Sequence, residues 1–93
     1  MDYRIILNKI ESIFVDLGFK PVKVHNVKFM KYKECYCQVT YLKDLSAVVI
    51  ESADNISDAE KGVLEDGDLY YINIPEDDLL NQIKSDLKNY YMD

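Results

Sequence analysis

The chain has 93 residues, 48% of them hydrophobic and 30% charged, with a formal net charge of −6. That length and apolar content suit one globular domain over residues 1–93 and exclude a disordered chain. The acidic balance argues against general affinity for nucleic-acid backbones, no apolar run reaches the roughly eighteen residues of a membrane span, and the Met1-Asp2-Tyr3-Arg4 start lacks the unbroken apolar core of a signal peptide, so a cytoplasmic location is expected.

Tyr3, Ile6, Ile10, Ile13 and Leu17 step by three and four, with Leu7 and Phe14 broadening the stripe, so residues 2–17 read as an amphipathic helix. Asp2 can cap its start and Gly18 ends it, while Pro21 pushes Lys20 into extended geometry. From Val22 the period changes to two. Val22 and Val24 alternate in one phase and Val27 and Phe29 in the other, which suggests a bulge or bend at His25-Asn26.

Residues 35–42 and 45–51 read as further strands joined by a turn at Lys43-Asp44, and the apolar run Leu45 to Ile50 has the look of a strand at the middle of a sheet. Ser57-Asp58-Ala59-Glu60 matches a capping box, predicting a short helix from Asp58 to about Leu64. Glu65-Asp66-Gly67-Asp68 reads as a turn with Gly67 free to take positive φ, and Leu69 to Ile74 as a strand. Pro75 then opens a helix whose first-turn acids, Glu76, Asp77 and Asp78, suit its positive end, with Leu79, Leu80, Ile83, Leu87, Tyr90 and Tyr91 as its apolar stripe. The predicted fold is α+β: an N-terminal helix, a roughly four-stranded, mainly antiparallel sheet with a short helix before its last strand, and a C-terminal helix.

Chemistry-bearing patterns are few. Asp54 to Glu65 has the outer spacing of a calcium loop, but Ile56 and Ala59 stand where an oxygen ligand and a glycine are needed. His25 is the only histidine, so a thiol dyad or a zinc site has to combine it with Cys35 or Cys37, and neither cysteine has a recognisable local signature. The two cysteines lie two apart in a strand, where a bond between them is strained, so they are expected to be free thiols. Lys20, Lys23, Lys28, Lys31 and Lys33 with Phe29 and Tyr32 resemble a single-strand-binding sheet only superficially, and guarding a sheet edge is the simpler use of those lysines. No acid/base pair or phosphate loop can be placed, so no catalysis and no cofactor are expected.

Charge is distributed unevenly. Residues 1–43 carry eight Lys/Arg against four Asp/Glu, whereas residues 44–93 carry three against thirteen. Within residues 51–78 the ten acids Glu51, Asp54, Asp58, Glu60, Glu65, Asp66, Asp68, Glu76, Asp77 and Asp78 are opposed only by Lys61. Such a band favours a basic partner, and tyrosine combines apolar area with a hydroxyl at interfaces. The expected partner surface is therefore Asp54, Asp58, Glu60, Glu65, Asp66, Asp68, Tyr70, Glu76, Asp77 and Asp78.

The stretches Val48-Val49-Ile50-Glu51-Ser52-Ala53, Ser57-Asp58-Ala59-Glu60 and Glu65-Asp66-Gly67-Asp68-Leu69-Tyr70 resemble the small acidic immunity proteins of bacterial toxin systems over about residues 45–74. That resemblance implies a stoichiometric inhibitor that occludes a basic partner such as a nuclease toxin, without direct nucleic-acid or membrane binding. The alternative is a small acidic secretion-type chaperone or a homo-oligomeric structural protein, for which a homodimer is expected.

Overall fold

A computed structural model describes residues 3–92, in the order α1 (Tyr3–Asp16), β1 (Lys20–Val24), β2 (Val27–Tyr32), β3 (Cys35–Leu42), a 3-10 turn (Lys43–Leu45), β4 (Ala47–Ala53), α2 (Ile56–Lys61), β5 (Glu65–Tyr71) and α3 (Glu76–Tyr91). The strands form one sheet in the order β1-β2-β3-β4-β5 with every neighbouring pair antiparallel. The α+β class and the two long helices agree with the sequence, and the sheet has five strands rather than about four. Asp2, the expected cap of α1, lies outside the described residues.

The start of the chain folds as its apolar spacing dictates. Ile6, Ile10 and Phe14 are buried on one face of α1. Gly18, at φ 104°, ends the helix in a Schellman motif, with Phe19 N–H donating to Phe14 O at 2.9 Å and Gly18 N–H to Val15 O at 3.0 Å. The apolar contact that accompanies this motif is the edge-to-face pair Phe14 and Phe19, with centroids 4.8 Å apart.

The phase change at His25-Asn26 marks a hairpin tip, not a bulge. Both residues have positive φ (51° and 67°), as a type I′ turn requires, and Val22 pairs with Phe29 and Val24 with Val27. A two-residue loop sets even-numbered residues opposite odd-numbered ones, which is why the alternation inverts. Lys33 (φ 53°) closes a second tight hairpin between Tyr32 and Cys35.

Three further expectations change. The β3–β4 connection spans four residues, 43–46, with Ser46 at φ 47°, so Leu45 is exposed and β4 starts at Ala47. β4 is buried on both faces, as its apolar run requires, yet it is second from the edge, and β3 is the central strand. Asn55, not Ser57, caps α2: its side-chain oxygen accepts the Asp58 N–H at 2.8 Å, and Gly62 (φ 72°) stops the helix before Leu64.

α1 and α3 lie on one face of the sheet, over Met30, Cys37, Val48, Ile50 and Tyr70, with Leu79, Ile83 and Leu87 supplied by α3. The short α2 covers part of the other face, where Ala59 meets Val24, Phe29, Tyr36 and Ala53. Each fully buried Ile or Leu contributes about 1.5–3 kcal/mol by leaving water, so the two-helix side dominates stability. No helix is long and apolar enough to cross a membrane among the described residues.

Candidate partner-binding surface

The expected turn at Glu65-Asp66-Gly67-Asp68 is instead the first half of edge strand β5, and an irregularity there builds the site. Leu69 pairs with Val49 and Asp66 with Glu51, so Gly67 and Asp68 together stand opposite Ile50 in a β-bulge. Gly67 is required by close approach and not by positive φ: a Cβ there would collide with the Ile50 carbonyl oxygen.

Strict alternation would put Glu65 and Asp68 on opposite faces of the sheet. The extra residue brings them to the same face, because Glu65 pairs with Ser52 while Tyr70 pairs with Val48, and Ser52, Ile50 and Val48 share the side covered by α3. A cleft of about 240 Å³ results between the bulged strand and the last two turns of α3, lined by Ser52, Glu65, Asp68, Tyr70, Tyr90 and Tyr91, among others.

Two of the hydroxyls around this cleft are already committed as donors. Tyr70 donates to Asp86 Oδ2 at 2.8 Å and Tyr90 to Asp68 Oδ2 at 3.4 Å. Burial, followed by the Asp86 hydrogen bond, pushes the Tyr70 phenol above its ordinary value, and the Asp68 carboxylate does the same to Tyr90. Burial also raises Tyr91, whose hydroxyl has Ser52 and Cys37 as hydrogen-bond neighbours. No lysine or arginine lines the cleft.

Most of the expected surface residues gather at this end of the sheet. Asp54 lies just before α2 and Glu60 within it, and both are exposed, as are Glu65, Asp66 and Asp68, while Asp58 is half-buried beside its Asn55 cap. Asp66 stands directly opposite Glu51 on the face away from α3, and Glu51 also accepts a hydrogen bond from Thr40 at 3.1 Å. Tyr70 is core, at 4% exposure, and Tyr71 is the exposed tyrosine of the pair, at 49%. Glu76, Asp77 and Asp78 begin α3, about 20 Å along the helix from Tyr90. Glu76 there forms an ion pair with Lys9 at 2.8 Å. They form a separate acidic group at the other end of the molecule.

Sequence reasoning did not place Asp86 and Tyr90 in this surface. Their contacts with β5 come from the antiparallel return of α3, which only the connection through Pro75 hints at. Topology also keeps the candidate thiol chemistry apart: His25 is at one end of β2 and Cys35 at the other, about 17 Å away at strand rise. Cys37 lies beneath the helices with its thiol pushed up by burial to about 11, and both cysteines are free. Among the described residues no group of three His, Cys, Asp or Glu side chains is placed to hold a metal ion. Compared with known proteins, the chain matches no family model, no curated protein and no solved structure.

Proposed function

We propose that this protein is a non-catalytic, stoichiometric inhibitor of the immunity type, whose acidic end covers the basic active site of a protein partner such as a nuclease. The observation that carries this reading is the bulge in β5. It gathers Glu65 and Asp68 beside a tyrosine-lined cleft, with Asp54, Glu60 and Asp66 exposed around the same sheet end.

Stability alone does not favour this arrangement. Glu51 and Asp66 are directly opposed like charges, a placement that costs a few tenths of a kcal/mol to about 1 kcal/mol. A basic partner offsets that repulsion when it docks, and clustered carboxylates accelerate its approach by steering. The buried Tyr70 ring and the hydrogen bonds from the Tyr70 and Tyr90 hydroxyls hold the wall of the cleft.

Reversing charge at Asp66 and Asp68 together, by Asp66→Lys and Asp68→Lys, should slow association with the partner at least about tenfold at low salt and flatten its salt dependence. An unchanged association rate in the double variant would remove the surface from the account.

A further inference from the structure

The two edges of the sheet are not equivalent. β1 carries Pro21, which lacks an amide donor, together with Lys20 and Lys23, devices that blunt an edge against added strands. β5 has no proline and no lysine, and its charges are Glu65, Asp66 and Asp68.

The ladder fixes which of its backbone groups are free. Ile72 N–H donates to Ser46 O at 2.9 Å, so that pair is a hydrogen-bonded one. Pairs alternate along an antiparallel ladder. Tyr70, opposite Val48, therefore turns its N–H and C=O toward β4, while Leu69, opposite Val49, and Tyr71, opposite Ala47, turn theirs outward. Two copies of β5 laid side by side would set three carboxylates against three, so this edge rejects itself and suits a positively charged strand.

Side-chain directions define the segment further. Leu69 and Tyr71 lie on the face away from α3, and Tyr71 is exposed. Glu65, Asp68 and the cleft lie on the face toward α3. Because the Tyr70 and Tyr90 hydroxyls donate to carboxylates, they offer lone pairs to the cleft beside acceptor-only carboxylates, which matches a donor-only ammonium or guanidinium group. The volume of about 240 Å³ falls below the roughly 300–1,000 Å³ of small-molecule sites and suits one long side chain.

Resting on the inhibitor reading above, we propose that β5 binds an extended segment of the basic partner as a sixth strand. Its residues alternate between cationic and apolar, with a lysine or arginine entering the tyrosine-lined cleft and apolar side chains lying beside Leu69 and Tyr71.

The test is residue-resolved amide hydrogen exchange with a synthetic alternating Lys-Val heptapeptide, and an alternating Glu-Val heptapeptide as control. In the free protein the Leu69 and Tyr71 amides should exchange quickly and the Tyr70 amide slowly. Near-saturating Lys-Val peptide should slow Leu69 and Tyr71 at least about tenfold and leave β1 unchanged, and the Glu-Val peptide should slow neither. Unchanged exchange at Leu69 and Tyr71, or equal protection by both peptides, overturns strand addition. The inhibitor reading is decided separately by the association rate of the charge-reversed variant, and survives if the Lys-Val peptide binds in a salt-dependent way without protecting these amides.

Discussion

Gly67 shows how much of the site depends on a single residue. The sequence marks it as a turn glycine, since Glu-Asp-Gly-Asp has turn composition, but what requires glycine is the approach of Ile50 O to the place where a Cβ would be. Composition carries no signal for a contact formed with a residue seventeen positions earlier. Gly67→Ala must push the two strands apart, so it should destabilise the fold by roughly 2 kcal/mol or more in urea denaturation, with loss of the slow exchange at the Tyr70 amide. The pH dependence also belongs to single residues. Cys37 rises from 9.0 to about 11 on folding, and Tyr70 and Tyr91 rise above the ordinary 10.0. All three favour the protonated form in the native state. Their stabilisation is complete below about pH 9, and is lost first through Cys37 between 9 and 11, then through the tyrosines as pH climbs beyond 10. The melting temperature should therefore fall progressively above about pH 9, with phenolate absorbance from at least two tyrosines appearing only on unfolding. A flat melting temperature across that range would contradict the burial of these groups.

At the scale of elements, the sequence reveals period and punctuation well and register poorly. α1 and α3 were legible because their apolar residues repeat at helical spacing over 14 and 16 residues and a glycine or proline marks a boundary. The β1–β2 hairpin was half legible. Its phase inversion is visible, but His25-Asn26 lacks the glycine that identifies a type I′ turn. The extension of β5 back to Glu65 was hidden because acidic residues and glycine are poor strand formers, and pairing with β4 overrides that preference. That pairing leaves Asp66 facing Glu51, so Asp66→Lys replaces a like-charge pair with an opposite one and should stabilise the protein by about 0.5 kcal/mol at low salt, with the gain shrinking as salt rises. A loss of stability in this exposed variant would mean that the two carboxylates are not opposed.

On the scale of the whole molecule, the uneven charge of the sequence becomes a polarity across the sheet. Lys20, Lys23, Lys28 and Lys31 lie on β1 and β2, although Lys28 also pairs with Glu11 at 2.8 Å, and Glu65, Asp66 and Asp68 lie on β5. Four strand spacings of about 4.8 Å separate these edges by roughly 19 Å, enough for a basic partner to meet one of them in preference. The acidic band was legible as composition, but its division into a β5 cluster and a separate α3 N-terminal group was not, because that depends on where each element begins and ends in space. The most direct test is capture of partners from the source organism by the tagged protein and by its Glu65→Lys, Asp68→Lys variant, each at about 0.05 M and about 0.5 M salt, with bound proteins identified by mass spectrometry. One basic protein should be recovered by the unmodified chain at low salt and lost both at high salt and in the variant. Equal recovery by both proteins at both salts, or recovery of the bait alone, would contradict the inhibitor reading.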